Sequence, residues 1–270
     1  MIYTPEEWKS VLEGGASDTE LIRNSLKLGV PKHLRGEIWA YLVKANRYTS
    51  HYHPMTYFNL LSIPDCKVES AIQKDINRTL PLHDMFSEQN GYGQTGLFNI
   101  LKSYASLDPS TGYCQEMSFI AAYLLMNMLT EELAFWAFVE VMFQKNWREV
   151  LSSDLSKFKA MVAEFERTLE ERLPQVKAHF RKENLSCYVF QPFLTTICTY
   201  NVPEDLATRV MDWFLLDGEN VVYSFLVSVL KVSEYKILNM SGEELYTYLR
   251  KQVVLDALEE AGIDSILSLC

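Results

Sequence analysis

The chain of 270 residues is 48% hydrophobic and 22% charged, a composition typical of globular proteins and enough for one large domain or two subdomains. Its formal net charge is −10, and no block of lysine or arginine provides the cationic surface that a nucleic-acid backbone requires. Nucleic-acid binding is therefore excluded as a function class. The five cysteines are odd in number and widely scattered, which predicts reduced thiols rather than a disulfide framework or a zinc site.

The chain opens with the polar, acidic stretch MIYTPEEW, which lacks the apolar centre of a secretory signal peptide. The most apolar segments are residues 120–129, 133–143 and 221–232, and each is too short to cross a bilayer. We predict that they are buried helices. These features together predict a cytoplasmic protein without a transmembrane segment.

The stretch LRGEIWAYL contains an arginine and a tryptophan four residues apart, Arg35 and Trp39. Pro31 can open a helix here, and on that helix the Arg35 guanidinium can stack along the Trp39 indole. The alternative is an ordinary surface arginine over a half-buried tryptophan. The motif by itself does not separate the two.

The stretch AIQKDINRTLP places Ile72, Asp75 and Arg78 at steps of three residues on a second predicted helix. Ile72 can anchor that helix in the core, and Asp75 can brace Arg78. Because Leu80 precedes Pro81, the helix is expected to end near Arg78, from where the guanidinium can reach a partner. The alternative is an ordinary ion pair on the surface of a helix.

Two motifs resemble ligand sites but lack the sequence context that such sites need. GYGQTG, Gly91 to Gly96, matches a dinucleotide-binding pattern, yet the preceding PLHDMFSEQN does not resemble a buried strand. We predict a flexible loop that opens the helix LFNILKSYASL. His51 and His53 in HYHP have no second matched pair, and the chain has no phosphate-binding P-loop. The sequence predicts no cofactor or metal site of its own.

The stretch TGYCQEMSF, Thr111 to Phe119, follows the turn-forming SLDPSTG and precedes the apolar run IAAYLLMNM. Gln115 and Glu116 are therefore predicted to lie at a loop-to-helix junction. Unpaired N–H groups and the helix dipole favour an anion at such a junction. The alternative is that these are the polar residues found at many helix starts.

Helical periodicity continues to the end of the chain. Residues 157–180 form an amphipathic pattern that we expect to kink or break at Pro174, and two helices are predicted to meet at a turn at Gly218. Ser241 and Glu244 have the spacing of a capping box. Since no run alternates apolar and polar residues between turn signals, the predicted fold is all-α.

A braced arginine and a positioned amide, each at a helix end, are the two groups that a GTPase lacks when its intrinsic rate is slow. The arginine neutralises charge on the transferring phosphoryl group, and the amide orients the attacking water. A protein without a P-loop would supply both groups in trans.

The three motifs, in this order, resemble those of the TBC domain family, the activators of Rab-type small GTPases. Its R-x-x-x-W, I-x-x-D-x-x-R and Y-x-Q elements correspond to Arg35–Trp39, Ile72–Arg78 and Tyr113–Gln115. LATRVMDWFLLDGENVVYSFLVSVL is similar to a further helix, turn and helix of the family. The resemblance covers roughly residues 28–253, within a single predicted domain of residues 1–270 whose last stretch, 259–270, is expected to fray.

The resemblance implies an all-α fold of two helical subdomains flanking a GTPase-binding groove. It implies that Arg78 is an arginine finger and Gln115 a glutamine finger, held by a supporting shell of Arg35, Trp39, Asp75 and Tyr113. The implied partner is a GTP-bound Rab, which carries Mg²⁺ and GTP, so the domain needs no cofactor. Recruitment to membranes that carry the Rab follows, with no particular oligomeric state implied.

The chain departs from the family pattern at three places. Glu116 stands where the family usually has glycine, Met211 where it often has tryptophan, and Pro192–Phe193 where it commonly has Trp-Phe. Glu116 places a carboxylate near bound GTP and is therefore predicted to modulate the rate or the choice of partner. The protein is predicted to be a GTPase activator rather than an enzyme with its own substrate. The alternative is a TBC-like scaffold that binds a Rab without accelerating hydrolysis.

Overall fold

The computed structural model describes residues 2–44 and 51–270, with only the backbone described for Cys66. These residues form eighteen α-helices, two short 3-10 segments at Lys32–Leu34 and Cys187–Phe190, and no strand. The predicted all-α class is confirmed. The helices are α1 Pro5–Leu12, α2 Thr19–Leu28, α3 Arg35–Leu42, α4 Thr56–Leu61, α5 Cys66–Ile76, α6 Asp84–Ser87, α7 Tyr92–Leu107, α8 Glu116–Asn127, α9 Glu131–Phe143, α10 Trp147–Val150, α11 Ser156–Arg172, α12 Pro174–Lys182, α13 Gln191–Thr195, α14 Glu204–Asp217, α15 Asn220–Val232, α16 Glu234–Leu238, α17 Gly242–Lys251 and α18 Val253–Ser268.

The chain divides into two compact units. The N-terminal unit comprises Tyr3–Ser17 and Val30–Ser153, and the C-terminal unit comprises chiefly Asp18–Gly29 and Asp154–Cys270. Two helical units are what the family resemblance implies. In the described part of the chain, no helix is long and apolar enough to cross a membrane.

The N-terminal unit is built around α7, α8 and α9, which pack against one another. Helices α8 and α9 are buried along most of their length, as predicted for the two apolar segments they contain. Helices α4 and α5 pack on α7, and Ile72 of α5 is fully buried. This packing fixes the end of α5 and the start of α8, the two positions from which the candidate site is built.

The C-terminal unit confirms the predicted helix breaks. Helices α11 and α12 are separated at Leu173, directly before Pro174, because the proline cannot continue the helical hydrogen bonds. Helices α14 and α15 meet at Gly218, whose φ of 71° requires the left-handed conformation that glycine adopts without strain. Helix α15 packs on α14 and α18.

Two expectations for the C-terminal unit differ from the structure. Ser241 precedes α17 but its side chain makes no capping hydrogen bond, because Gly242 has a φ of 54° and interrupts the entry that a capping box needs. The Gly242 N–H donates instead to Glu183 Oε2 at 3.1 Å. The stretch expected to fray is helical to Ser268 apart from a kink at Gly262, whose φ is 76°, and Ile266 and Leu267 are buried.

The prediction of a flexible loop at GYGQTG is wrong. Helix α7 already begins at Tyr92, and the element before it is the short helix α6 rather than a strand. A Cβ atom on Gly93 would lie 2.0 Å from the carbonyl oxygen of Met85, so the glycine is required by close backbone packing. The dinucleotide interpretation loses its structural context.

Replacing Gly93 by alanine should destabilise the protein. The added methyl group meets backbone rather than a flexible side chain, so we expect a loss of about 1–3 kcal/mol despite alanine's higher helix propensity. Thr95→Ala, at an exposed position of the same helix, should change stability by no more than about 0.5 kcal/mol. Urea unfolding of both variants measures the difference, and equal midpoints would contradict the packing explanation.

Candidate functional site

The end of α5 carries Asp75 and Arg78. The helix ends at Ile76, and the Arg78 N–H donates to the Asp75 carbonyl oxygen at 3.1 Å in a final turn. Arg78 therefore lies just beyond the helix, as predicted from the proline that follows. Its side chain is 58% exposed, so the guanidinium is accessible from solvent.

The Asp75 carboxylate is the buried centre of the site, with 8% of the residue exposed. Arg78 Nε donates to its Oδ1 at 2.9 Å, and Arg78 Nη2 contacts the same oxygen. Tyr113 donates its hydroxyl to Oδ2 at 2.8 Å. Burial, together with the hydrogen bond to Asp75, raises the pKa of Tyr113 above its ordinary range, so the phenol remains a donor at neutral pH.

Gln115 lies at the junction between this loop and α8, where the sequence predicts it. It caps the helix with backbone in the helical region, and its side chain makes no hydrogen bond to its own helix. The Gln115 Oε1 accepts instead from Arg78 Nη2. The two side chains that the resemblance identifies as fingers are therefore in contact with each other.

The loop before Tyr113 is shaped by Asp108. Its carboxylate accepts from the hydroxyls of Ser110 and Thr111, both at 2.6 Å, from the Tyr104 hydroxyl at 3.0 Å and from Arg148 Nη2 at 3.0 Å. Burial opposes ionisation of Asp108, but these donors hold the pKa of its carboxyl below its usual range. The ionised carboxylate thus fixes the turn that leads to the Tyr113–Gln115 segment.

Arg35 and Trp39 are placed on α3, with Trp39 fully buried and Arg35 half-buried. Gly36, between them, packs close to the Asn127 carbonyl oxygen at the C-terminal end of α8. That helix has 12 residues and is about 18 Å long, so this contact is at the opposite end from Gln115. The structure thus brings Asp75 and Tyr113 close to Arg78 and Gln115, whereas α3 lies at the other end of α8. The stacking of Arg35 on Trp39 stays a prediction.

Glu116 is the first residue of α8 and is half-buried. Burial, and then the Glu116 carboxylate beside it, raise the pKa of the Cys114 thiol to about 12. The thiol is therefore protonated at neutral pH and can donate to that carboxylate. Glu116 has a neighbour within its own loop, a contact that its sequence position does not reveal.

Thr79 and Ser118 belong to the site, although sequence reasoning did not select them. They are buried, and their hydroxyl oxygens are 2.9 Å apart, joining the end of α5 to the first turn of α8. The only sequence signal is position, since Thr79 follows Arg78 and Ser118 lies three residues after Gln115. Serine and threonine are too common near helix ends for that signal to stand out.

The described residues hold no group of three or more His, Cys, Asp or Glu side chains that could bind a metal. His53, one of the two candidate ligands, accepts the Met55 N–H at Nδ1 over 3.2 Å. The thiols of the four cysteines whose side chains are described are free. The Cys66 side chain lies outside the described residues.

The departure at Met211 lies in the core, and the departure at Pro192 is half-buried in α13, next to Phe193, which matches the family pattern. Met211 is fully buried in α14 and Phe193 is 2% exposed in α13. Neither contributes a group to the candidate site.

Comparison with known proteins gives a match to the family model described as the Rab-GTPase-TBC domain, over residues 32–238. The chain is 30% identical over 249 residues to the human ecotropic viral integration site 5 protein homolog, covering 92% of this chain and 30% of that protein. It is 30% identical over 234 residues to the Rab GTPase-activating protein eat-17 of Caenorhabditis elegans, covering 86% of this chain and 26% of that protein. The chain thus spans less than a third of the length of these relatives.

The fold is similar to the crystal structure of the Chlamydomonas flagellar RabGAP TBC domain, with a TM-score of 0.83 and 18% sequence identity. The superposition covers 98% of this chain and 88% of that one. At this identity the likeness establishes the fold alone. It agrees with the all-α architecture expected from the sequence.

The prediction that the protein is not an enzyme is wrong. The matched family model is the Rab-GTPase-TBC domain, and the Caenorhabditis elegans relative is named as a Rab GTPase-activating protein. Such proteins are grouped with enzymes because they accelerate GTP hydrolysis. A chain without a nucleotide-binding motif of its own still belongs to that group if its catalytic groups act in trans.

Proposed function

The chain belongs to the Rab-GTPase-TBC domain family, and on that basis we propose that it accelerates GTP hydrolysis by a Rab-type small GTPase in its GTP-bound form. In this proposal Arg78 and Gln115 enter the active site of the GTPase. The observation that carries the proposal is the contact between two side chains of the N-terminal unit. Arg78 is exposed and bound by Asp75, and the Gln115 side chain, which makes no capping hydrogen bond, accepts from Arg78. Within the described residues only Nε and Nη2 of Arg78 have hydrogen-bond partners, which leaves Nη1 for a phosphate oxygen.

The two side chains match the two chemical requirements of the reaction. The guanidinium offsets the negative charge that spreads over the transferring phosphoryl group, and the amide holds the attacking water in line. Mg²⁺ and GTP arrive with the GTPase, so this chain contributes only protein groups. The encounter would take place at membranes that carry the Rab.

The contact between Arg78 and Gln115 gives each side chain a partner before the GTPase binds. When the complex forms, the hydrogen bond between Arg78 Nη2 and Gln115 Oε1 must break. Arg78 then contacts phosphate, and Gln115 contacts the attacking water. Asp75 retains its hold on Arg78 through Nε during that exchange, since Nε faces the carboxylate. A scaffold that binds a Rab without accelerating hydrolysis is not favoured, because it would need neither side chain.

Arg78→Ala should remove most of the activation, because arginine fingers supplied in trans contribute about 10³–10⁵ in rate. Arg78→Lys should be nearly as impaired, since lysine keeps the charge but loses the planar fork. Single-turnover GTP hydrolysis over a panel of Rab proteins measures both. Arg167→Ala is the matched control, because that arginine is also 58% exposed and paired with carboxylates but lies in the C-terminal unit. Near wild-type stimulation of the most responsive Rab by Arg78→Ala would contradict the assignment of Arg78 as the arginine finger.

Gln115→Ala should lower activation if its amide positions the water. A Rab whose own water-positioning glutamine is replaced should still respond to the wild-type domain and should not respond to Gln115→Ala. Gln144→Ala, at an exposed position after α9, serves as the control. If the Rab variant is inert with the wild-type domain, the water is positioned by the GTPase, and Gln115 contributes only to docking.

Glu116→Gly should raise kcat/KM on most Rab proteins by up to about tenfold. A carboxylate about 8 Å from one phosphate charge, at an effective dielectric of about 20, costs about 2 kcal/mol before screening. Its favourable effect on the start of α8 is smaller, a few tenths of a kcal/mol to about 1 kcal/mol.

The same panel tests the competing idea that Glu116 pairs with a basic residue of one Rab and provides specificity. A general gain supports repulsion of the phosphates, whereas a selective loss on one Rab supports pairing. Glu116→Gln separates the two effects of the change, since it removes the charge without the flexibility of glycine. An unchanged rate on every Rab would show that the carboxylate affects only its own loop.

A further inference from the structure

The segment carrying Arg78 and the segment carrying Gln115 are joined by three side-chain contacts in sequence order. Asp75 accepts from Tyr113, Arg78 donates to Gln115, and the Thr79 hydroxyl contacts the Ser118 hydroxyl. The middle contact is formed by the two finger residues themselves. The third is the most deeply buried, with Thr79 1% exposed and Ser118 fully buried.

Counting the hydroxyl protons shows that the contact between Thr79 and Ser118 is a hydrogen bond. Three short contacts share two protons: Thr79 Oγ1 to the Asp75 carbonyl at 2.8 Å, Thr79 Oγ1 to Ser118 Oγ at 2.9 Å, and Ser118 Oγ to the Gln115 carbonyl at 2.8 Å. If both hydroxyls donated to the carbonyls, the two hydroxyl oxygens would face each other with lone pairs only and no proton between them, which is repulsive in a buried site.

The two carbonyl oxygens do not depend on the hydroxyls. The Asp75 carbonyl already accepts the Arg78 N–H at 3.1 Å, and the Gln115 carbonyl already accepts the Ser118 N–H at 3.0 Å. One proton can therefore lie between Thr79 and Ser118 without leaving a buried carbonyl unsatisfied. In the arrangement in which Thr79 donates to Ser118, the chain of bonds ends on the backbone of Gln115.

We propose that Thr79 and Ser118 are positioning residues that hold the two finger segments in register while the Arg78–Gln115 contact opens. This inference rests on the proposed function, because only engagement with a GTPase requires that contact to open. Once it opens, the flanking contacts made by Asp75 and by Thr79 still join the segments. Misplacement of a reacting group by about 1 Å costs roughly 10²-fold in rate, so register has a large effect on catalysis.

Thr79→Val should lower kcat of GTPase activation by about 10-fold to 100-fold while KM for the Rab stays within about twofold. Valine keeps the volume and branching of threonine and removes only the hydroxyl. Thr79→Ser should restore most of kcat, since it returns the donor. Ser118→Ala should show the same split between kcat and KM, and it is the substitute if Thr79→Val does not fold.

Two comparisons separate positioning from a general loss of stability. Thr199→Val removes a fully buried hydroxyl of the C-terminal unit, whose one partner among the described residues is the Thr196 carbonyl. It should therefore lower the unfolding midpoint and leave kcat unchanged. The effect of Thr79→Val should also shrink in a Gln115→Ala background, because there is then no glutamine to position. Equal effects of Thr79→Val in both backgrounds would mean a structural role and would overturn the inference.

The outcome for Arg78 distinguishes failure of this inference from failure of the proposed function. If Arg78→Ala abolishes activation and Thr79→Val keeps wild-type kcat at a temperature where both are folded, only the positioning role is wrong. If Arg78→Ala retains activation, the proposed function fails and the positioning role fails with it. Loss of kcat in both Thr79→Val and Ser118→Ala, with recovery in Thr79→Ser, is the supporting result.

Discussion

A buried carboxylate is unfavourable unless it is paired, and the candidate site is arranged around the pairing of Asp75. The residue is 8% exposed, and both of its carboxylate oxygens are occupied, one by Arg78 and the other by Tyr113. These partners come from different segments of the chain. Neutralising one buried charge therefore fixes the end of α5 against the loop before α8, at the place where Arg78 and Gln115 meet.

The rest of the N-terminal unit holds the two segments that Asp75 joins. Helix α5 is anchored through Ile72 on the side of α7, and α8 is held by burial along its length. The Asp108 carboxylate shapes the turn between α7 and α8 by binding hydroxyls and Arg148. The side chains of Arg78 and Gln115 project from these fixed ends, with Arg78 exposed and Gln115 half-buried.

The site contains two groups of side chains that differ in their contacts. One group joins the two segments, and each member is buried or half-buried with a partner in the opposite segment: Asp75, Tyr113, Thr79 and Ser118. Asp75 holds the Arg78 guanidinium within its own segment, and among the described residues Arg78 and Gln115 contact only each other between the two segments. A group that must change partners during a reaction needs this combination, because its own contacts have to be weak enough to exchange while its position stays fixed.

Local sequence patterns are enough to predict the helices and to select Arg78 and Gln115 as candidate site residues. Periodicity, Pro81, Pro174 and Gly218 act locally, so the helices and their breaks follow from neighbouring residues, and the motifs around Arg78 and Gln115 are contiguous. The tertiary structure decided what depends on distant partners: Ser118 lies 39 residues from Thr79, Arg148 lies 40 from Asp108, and Glu183 lies 59 from Gly242. The start of α7 also depends on such a contact, since Gly93 is required by the Met85 carbonyl oxygen and not by its own helix. A hydrogen bond or a close contact between such residues depends on how helices pack, and neither local propensity nor spacing contains that information.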